Sequence, residues 1–511
     1  MMKKLIYILS LMFLTGACES ILDLEPKNSV TFDHYFNSER DLEAVVAEVH
    51  SLLRTALCGV NYQTHIGLKV DYVKGGSDYV RLRRLDPTII ASRYKQEKWR
   101  PYYNVLNIVD LYFDNYRRAE GVAESRVNFY SGQCYFARAV CYWKLAQIWG
   151  DAVITKGSTY VEKYAKSPAA QVVDTAIAAA EKAYRLLPKY GEMKNSNKKA
   201  LVSKQYGCKG SAAGVLVHLY AWKGCVLGDR EALKKAVAWA DTLMNPDYAG
   251  TYTLPENPEE VCTKELLRRG EGSVFELEIS YTDNSTYSTF IAGAPLIGWP
   301  VMRNTEAADI IDKQYGITVG MVNSMYEQGD LRRTSYFYEP DESGRNLADL
   351  AYLYKWRNTL YRETATGEAG FVGFDANKVM IRLADIYLLR AECKAKLGDR
   401  SGAMADLNLI REKARATAYP EGPNDVDTEN GLVWAIFRER ERELLYEGHR
   451  YYDIVRNYYY DPGFLKEFAD DFPALSNSDI ADGALYLPVP ETAFNYNDLM
   501  VQNIYWLSKM Q

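Results

Sequence analysis

The most informative segment for the fold is Tyr387-Leu-Leu-Arg-Ala-Glu-Cys-Lys-Ala-Lys-Leu-Gly-Asp399. In this segment a helical pattern breaks at Gly398-Asp399 and then resumes. The chain contains a second stretch of the same kind, Val217-His-Leu-Tyr-Ala-Trp-Lys-Gly-Cys-Val-Leu-Gly-Asp229, which a helical pattern also follows. Each copy reads as helix, Gly-Asp turn, helix. Two such copies predict helical hairpins that pack in the manner of tetratricopeptide repeats.

Other segments extend this helical scaffold. Small alanines recur in the second helix of each copy, where they let two helices approach closely. Ser38, followed by acids, suits a helix start, and Gly150-Asp151 suits a helix end. Helical periodicity covers residues of about 32–55, 99–120, 131–149 and 172–187. These patterns predict a mainly α fold, a tetratricopeptide-like helical repeat scaffold.

Two stretches lack helical periodicity. Residues of about 67–98 and 251–375 are rich in Gly, Pro, Asn, Thr and aromatic residues, with short β-like runs such as 273–280. A long segment without regular structure is usually functional. We therefore expect long irregular loops and a few short β-strands to form a ligand face beside the helices.

The N-terminus carries an export signal. Two lysines precede an apolar run at residues 5–14, and small residues then lead to Cys18. This arrangement is typical of a secretory signal peptide, which is too short to span a bilayer. Small residues directly before a cysteine resemble the bacterial lipobox. We therefore predict a signal peptide at 1–17, lipidation of Cys18 by acyl chains such as palmitate, and a tether at 18–30; an ordinary signal peptide cut near a cysteine is the alternative.

The composition bounds the class of partner. The net charge is −6 and no strongly basic stretch follows the N-terminal signal, which argues against a nucleic-acid partner. The 41 tyrosines outnumber the 16 phenylalanines by more than two to one. Tyrosine offers a flat apolar face together with a hydroxyl group, which suits wet interfaces and sugar-binding surfaces.

Sequence signatures of common catalytic and metal sites are missing. The chain has no Gly-Lys dipeptide, no Gly-x-Ser-x-Gly, no His-Glu-x-x-His and no Cys-x-x-Cys. The histidines lie far apart along the chain, so we expect no metal site; they are His34, His50, His65, His218 and His449. The seven cysteines after Cys18 are expected to be small buried hydrophobic residues. Two carboxylates that hydrolyse a glycoside leave no local signature, so a secreted hydrolase stays an alternative.

The charge run Arg438-Glu-Arg-Glu-Arg-Glu443 is interpreted as structural. Helical spacing makes Arg440 and Glu443 neighbours and predicts an ion pair between them. The same partly buried network is expected to include Glu447, Arg450, Asp453 and Arg456. Arg138 and Arg382, each flanked by apolar helix residues, receive the same interpretation. The aromatic residues at helical spacing are expected in the core; they are Tyr142, Trp143, Trp222 and Trp239.

Short motifs occur in a fixed order over more than 400 residues. They are Leu22-Asp-Leu-Glu-Pro26, Trp99-x-x-x-Tyr103, Asn107, Gly132-Gln-Cys-Tyr-Phe-Ala-Arg-Ala139, Gly150-Asp151, Ile381-Arg-Leu-Ala-Asp385, Glu439-Arg-x-x-Glu-Leu444, Glu447-Gly-x-Arg450-x-x-Asp453, Arg456, Leu487-Pro-Val-Pro490 and Gln502-Asn503. In this order they resemble the SusD/RagB family of outer-membrane nutrient-binding lipoproteins. The resemblance implies one SusD-like domain at 31–511, in which about 31–250 and 375–511 build the helical repeats and 251–375 is a loop-rich ligand-face subdomain.

The resemblance also implies a function. A member of this family is expected to sit on the outer membrane through its N-terminal lipid, facing the cell exterior. It would bind an oligomer, most commonly a glycan, and deliver it to a SusC-like TonB-dependent transporter, with the helical repeats toward the transporter and the loops toward the ligand. No cofactor and no catalysis are implied. Peptide capture is the alternative within the family.

Side chains in the irregular stretches are the candidate ligand contacts. Sugar rings stack on aromatic planes, while acids and arginines hydrogen-bond the hydroxyl groups. The predicted ligand-binding residues are Asp71, Tyr72, Asp78, Tyr79, Arg81, Tyr94, Tyr287 and Trp299. Tyr336 and Tyr338 belong to the same group of loop aromatics, for which the alternative role is to pin a loop to the scaffold.

Overall fold

The structure is a computed structural model, and it describes residues 35–58, 73–75, 98–279, 300–301, 315–343, 350–363, 367, 369–461, 463, 475–507 and 509. The long helices within these ranges are α1 Glu39–Cys58, α2 Arg100–Asn115, α3 Glu124–Trp149, α4 Ala169–Leu186, α5 Lys209–Val226, α6 Arg230–Met244, α7 Leu383–Leu397, α8 Arg400–Ala414, α9 Glu429–Glu443 and α10 Arg450–Tyr460. Shorter helical turns are Tyr116–Arg118, Pro246–Ala249, Pro258–Glu260, Val261–Glu265, Val319–Met325, Arg332–Tyr336, Pro340–Ser343, Asn477–Ala481, Glu491–Phe494 and Ile504–Leu507. The protein is therefore mainly α, as the sequence predicts.

The strands are few and short. They are β1 Val73–Gly75, β2 Ser273–Leu277, β3 Tyr315–Ile317, β4 Phe337–Tyr338, β5 Tyr352–Leu353, β6 Thr359–Glu363, β7 Ala369–Phe374 and β8 Lys378–Arg382. In the described part of the chain they form antiparallel two-stranded ladders, β1 with β3, β2 with β8, β4 with β5 and β6 with β7. A two-stranded ladder is marginal on its own, so each depends on packing against the rest of the molecule.

Consecutive helices pack side by side along the scaffold. Helix α1 contacts α2, α2 contacts α3, α3 contacts α4, α4 contacts α5, α5 contacts α6, and α6 contacts α7. Helix α7 packs in turn against α8 and α9. This nearest-neighbour order is the packing expected of stacked helical hairpins, and it confirms the repeat scaffold.

The Gly-Asp turns act through the geometry of the two residues. Gly398 ends α7 in the left-handed conformation with φ 87°, and the Asp399 side chain accepts a hydrogen bond from the Gly402 backbone N–H at 3.0 Å. The other turn repeats this: Gly228 has φ 73°, and Asp229 caps α6. Glycine tolerates positive φ and aspartate satisfies a free N–H at the next helix start. The repeated dipeptide is thus a stop signal joined to a start signal.

The α5/α6 hairpin shows why small residues recur. Ala232, Ala236 and Ala240 are all buried at the helix contact. A methyl group added to Gly224 would lie 2.4 Å from the side chain of Leu233 on α6. The two helices approach at a distance that only small side chains permit, as predicted.

The β2–β8 ladder lies in the core rather than on a ligand face. Every residue of β2 is buried, and β2 packs on α5 while β8 runs directly into α7. The loop aromatic Tyr336 is also buried, with its hydroxyl group 3.4 Å from the backbone carbonyl of Glu443. Of the two roles left open for Tyr336, the structure supports the second, because this ring anchors its segment to α9.

The predicted core aromatics are confirmed. Tyr142, Trp143 and Trp222 are each 2% exposed or less, and Trp239 packs against the same cluster. The cysteines follow the prediction as well. All seven in the described residues are buried and unpaired, namely Cys58, Cys134, Cys141, Cys208, Cys225, Cys262 and Cys393. Within the described part of the chain, no helix has the length and apolar character that crossing a membrane requires.

The charge run on α9 enters a buried ion-pair network. Glu439 accepts from Arg442 at 2.6 Å and from Arg411 at 3.0 Å. Arg440 does not pair with Glu443 as predicted. It reaches Asp385 on α7 at 2.8 Å and Asp453 on α10 at 3.0 Å, because burial turns it toward the neighbouring helices. The structural interpretation holds, while the partners are tertiary rather than local.

Candidate functional site

The predicted contact residues fall outside the described part of the chain. Cys18 and all eight predicted ligand-binding residues lie in the ranges 1–34, 59–72, 76–97 and 280–299. Their assignments stay predictions. The cavities and surfaces of the described residues are therefore the remaining candidates for the functional site.

One backbone contact links the two irregular stretches. Strand β1, from the 67–98 stretch, pairs with β3, from the 251–375 stretch, so that Val73 lies opposite Ile317 and Gly75 opposite Tyr315. The paired residues are at least 240 positions apart along the chain, since Tyr315 follows Gly75 by 240 and Ile317 follows Val73 by 244. Tertiary pairing therefore brings part of each irregular stretch into contact with the other.

A surface cavity of about 320 Å³ opens beside α2. We call it the aromatic pocket. The rings on its wall are Trp99, Tyr103, Tyr160 and Tyr164, and its polar groups include Asn107, Asp110, Ser158 and Asn497. A pocket lined by aromatic faces with a few polar groups is a typical small-molecule site.

Helix α2 provides one wall of the aromatic pocket. Residues 99, 103, 107 and 110 recur at helical spacing and so share one face. The Trp99 and Tyr103 rings meet edge to face, with centroids 5.5 Å apart. The Tyr103 hydroxyl accepts from the Val153 backbone N–H at 2.8 Å and donates to the Val153 carbonyl at 3.1 Å. This hydroxyl fixes the loop after α3 against the wall.

That loop provides the opposite wall. The Tyr160 and Tyr164 rings lie 4.7 Å apart. Lys156 holds both, since its backbone N–H donates to the Tyr164 hydroxyl at 3.0 Å and its ammonium lies 3.3 Å from the Tyr160 hydroxyl. The Asn497 amide donates to the Tyr164 carbonyl at 2.9 Å. The C-terminal segment thus closes the pocket's third side.

A buried carboxyl group stands at the base of the aromatic pocket. Asp110 is 5% exposed and forms an ion pair with Arg138. Burial raises the pKa of Asp110, although hydrogen bonds with Thr155 and Arg138 oppose the rise. Asn107, one helical turn away, is exposed. The pocket therefore combines ring faces with an acceptor and an amide, the groups that bind a ring carrying hydroxyl groups.

Exposed apolar side chains are concentrated in the C-terminal segment that lines one side of this pocket. Of the eleven large hydrophobic residues exposed in the described chain, six fall within residues 494–507: Phe494, Tyr496, Leu499, Val501, Ile504 and Leu507. Val161, on the pocket loop, is 91% exposed, and Lys163 ties that loop to Asp498 at 3.0 Å. We call these seven side chains the apolar surface. A concentration of this kind marks an interaction site more often than chance exposure.

A second cavity, of about 580 Å³, is charged. It lies within the predicted ligand-face subdomain, between residues 253–271 and the side chains of Asn358 and Asp375. Acidic and basic side chains both line it, and Arg268 forms an ion pair with Asp375 at 2.6 Å. Glu265, in the π-helical turn, is 2% exposed, and burial raises its pKa despite nearby Arg382 and Lys204.

The fold also assembles a cluster that the sequence does not predict. His218 on α5, Asp385 on α7 and His449 before α10 place one ligand-type atom each within 4.8 Å of one another. His218 and His449 are 231 residues apart along the chain, 449 minus 218, and helix packing brings them together. No local spacing signals such a contact.

Sequence reasoning missed part of the aromatic pocket. Trp99, Tyr103 and Asn107 appear in the motif order, yet only as marks of resemblance. Tyr160 and Tyr164 follow a turn with no helical pattern, and Asn497 lies 333 residues further on, 497 minus 164. The i, i+4 spacing of the two tyrosines was the one available signal, and it gives no partner.

The helical scaffold matches solved structures of one type. A SusD homolog from Bacteroides thetaiotaomicron VPI-5482 superimposes with a TM-score of 0.74 over 92% of this chain and 99% of the other, at 17% identity. NanU of B. fragilis superimposes with a TM-score of 0.65 over 94% and 99%, also at 17% identity. The fold is therefore that of the SusD-type helical-repeat proteins.

Sequence comparison agrees at both ends of the chain. The SusD family model matches residues 315–506, and a model described as starch-binding associating with outer membrane matches residues 22–205. SusD-like protein P25 of Formosa agariphila is 20% identical over 98% of each chain, and SusD-like protein P2 is 22% identical over 98% of this chain and 99% of the relative. The chain belongs to the SusD-like family, as the motif order predicts.

Proposed function

We propose that this protein is a cell-surface lipoprotein that binds an oligomeric glycan and delivers it to a SusC-like TonB-dependent transporter in the outer membrane. Family membership supports binding rather than catalysis. The description of the N-terminal family model, which names starch and the outer membrane, supports both the ligand class and the location.

The aromatic pocket is the observation that carries the ligand class. Its volume of about 320 Å³ suits one or two sugar rings. Tyr160 and Tyr164 offer ring faces for the C–H surface of a sugar, while Asn107 and Asp110 offer hydrogen bonds to hydroxyl groups. An oligomer would extend from here or across the predicted loop residues.

Binding to a panel of soluble host, plant and microbial polysaccharides tests this proposal. We expect at least one to retard the protein in affinity electrophoresis and to give a calorimetric signal. Tyr160→Ala with Tyr164→Ala should weaken binding about tenfold or more, because each lost ring contact is worth about 1 kcal/mol. Tyr248→Ala, which removes an exposed ring elsewhere, is the matched control. Silence across the whole panel would contradict the glycan proposal.

The loop residues are tested in parallel. Tyr72→Ala with Trp299→Ala removes two predicted contacts outside the aromatic pocket. Loss of binding in this variant alone would place the glycan on the loops. Loss in the Tyr160 and Tyr164 variant alone would place it in the aromatic pocket.

The apolar surface supports a protein partner. The seven exposed hydrophobic side chains lie in two segments that the Lys163–Asp498 pair joins; such exposure lowers solubility in water, and a transporter rim would cover them. Tyr496→Asp and Leu499→Asp should reduce co-purification with the transporter and leave glycan affinity unchanged. Undiminished co-purification would assign the contact to another surface.

The lipid anchor makes a separate prediction. Cys18→Ser should leave glycan affinity in solution intact, because the tether precedes the domain. The variant should leave the membrane fraction, and uptake should fall. An equal loss of affinity would mean that Cys18 is not the anchor.

Peptide capture is the second candidate. The charged cavity favours it, because acids and bases of both signs face one opening and suit a chain that carries both charges. Mass spectrometry of the native complex should then find peptides rather than sugars. Release of reducing ends or free amines by the purified protein would instead indicate a hydrolase.

A further inference from the structure

The cluster of His218, Asp385 and His449 lies apart from both cavities and takes no part in the proposed ligand binding. Three helices supply it: α5, α7 and the start of α10. His218 is 4% exposed and Asp385 is fully buried, and the three-residue group as a whole is buried. The ligand-type atoms of the cluster therefore lie in the interior of the helical scaffold.

From this geometry we propose that the cluster binds one divalent transition-metal ion of the zinc type, held by the two imidazoles and the Asp385 carboxylate.

The distances suit such an ion. The His218 Nε2 atom lies 2.7 Å from Asp385 Oδ2, and the three ligand atoms all lie within 4.8 Å of one another. A tetrahedral ion with bonds of about 2.0–2.1 Å needs ligand atoms about 3.3 Å apart. Small rotations of the two imidazole rings, which stack with centroids 6.0 Å apart, supply that change. Three protein ligands leave a fourth position for water.

The surroundings hold the carboxylate in place. Arg440 donates to Asp385 Oδ1 at 2.8 Å and to the Asp385 backbone carbonyl at 3.1 Å, so that Oδ2 alone faces the histidines. The Trp143 ring lies 4.9 Å from the His218 ring and restricts its tilt. Ligands oriented by neighbours in this way bind metals more tightly than free side chains do.

Local charge selects the type of ion. Three acids near the cluster, Asp385, Asp453 and Glu392, are matched by three bases, Arg440, Arg456 and Lys396. Lys144 adds a further cation near His218. Ions that bind through charge and oxygen ligands, such as Mg²⁺ and Ca²⁺, gain little here. Zn²⁺ and Co²⁺ gain their affinity from imidazole coordination.

Metal titration of the full chain, after dialysis against a chelator, tests the proposal. We expect calorimetry to show one equivalent of Zn²⁺, and Co²⁺ to give a visible tetrahedral absorption without a sulfur charge-transfer band. Mg²⁺ and Ca²⁺ should give no signal. His449→Gln and His218→Gln should each weaken Zn²⁺ binding about 100-fold or more, while His50→Gln, at a buried histidine outside the cluster, should not.

Three results would overturn the proposal. The first is a wild-type protein that takes up neither Zn²⁺ nor Co²⁺. The second is binding that persists unchanged in folded His449→Gln protein. The third is a sulfur charge-transfer band, which would assign the ion to buried cysteines. If the variants do not fold, anomalous scattering from zinc-soaked wild-type crystals decides, because a peak away from His218 and His449 would also overturn the proposal.

Discussion

The two hairpins that share the Gly-Asp turn are stabilised in different ways. In α5/α6 the contact is apolar, made by a row of alanines and by Gly224 against Leu233. In α7/α8 a similar apolar contact, with Ala391, Ala403 and Leu407 buried, is joined by ion pairs between the helices, and we call α7–α10 with these ion pairs the ionic half. Asp406 on α8 accepts from Arg390 at 2.6 Å and from Lys394 at 2.9 Å, both on α7.

One local signal, the Gly-Asp turn, therefore serves two kinds of helix contact. The turn fixes where each hairpin bends, but the residues facing the neighbours decide how it packs. Apolar contacts tolerate swaps of similar volume, whereas buried ions require every partner to be present. The ionic half should therefore be the more sensitive to single substitutions.

The largest effect is expected at Glu439, the centre of the ionic half. Its carboxylate meets Arg332 at 2.6 Å, Arg442 at 2.6 Å and Arg411 at 3.0 Å. Glu439→Gln leaves three cations under-compensated, so urea denaturation should show a loss of about 3–5 kcal/mol in the free energy of unfolding. Glu231→Gln, which breaks an exposed pair with Lys234, should change it by about 0.5 kcal/mol or less. Similar values for both would contradict the comparison.

The second effect is a loss of stability as the pH falls. Burial, outweighing a hydrogen bond with Gln133, lowers the pKa of His50 to about 4 from 6.5. The unfolded chain binds this proton first, so His50 alone should lower the free energy of unfolding by about 3 kcal/mol as the pH drops from 6.5 to 4. His50→Gln should make the profile shallower in that window but not flat, because burial also lowers the pKa of His449 to about 4.

The ionic half should respond at lower pH. Burial would raise the pKa of Glu447, but Arg382 and Lys355 bring it down to about 2. A depressed carboxyl pKa contributes stability that is lost as the pH falls from 4.5 toward 2. Unfolding curves collected across both windows separate the contribution of His50, on α1, from that of Glu447, and a wild-type profile that is flat between pH 6.5 and 4 would contradict the role of His50.

The third effect tests the apolar hairpin. Gly224→Ala should lower the free energy of unfolding by about 1–2 kcal/mol, because the new methyl group meets Leu233. Gly214→Ala, on the same helix, has its nearest side-chain atoms at 3.3–3.4 Å and is the control. It should lower the free energy of unfolding by less than Gly224→Ala does, because its contacts are tight without clashing and helix propensity offsets their cost by about 1 kcal/mol. Thermal melts distinguish the two variants.

The smallest effect lies in the shared turn. Asp399→Ala and Asp229→Ala should each destabilise by about 1 kcal/mol, since each removes an N-cap. Asn at either position should retain most of the stability. A much larger loss at Asp399 than at Asp229 would show that the turn, and not only the packing, differs between the hairpins.

The helices and their turns could be predicted from the sequence, because the residues that determine them lie within a few positions of one another. The end of α3 at Gly150 and the start of α1 after Ser38 follow from cap chemistry. The aromatic pocket could be predicted only in part. Trp99 and Tyr103 share a helix face, but Tyr160 and Asn497 come from segments that are distant in the sequence. The predicted partner of Arg440 was wrong, because helical spacing favours Glu443 whereas burial directs Arg440 to Asp385.

By itself, the sequence determined the helical hairpins, the motif order of the SusD-like family and the burial of the cysteines. These depend on periodicity, turn residues and composition, which act over a few positions. Only the tertiary structure decided that β1 pairs with β3, that three helices bring His218 to Asp385 and His449, and that the ions of α9 find their partners on other helices. The reason is physical: burial selects contacts between surfaces, and no spacing along the chain encodes which surfaces meet.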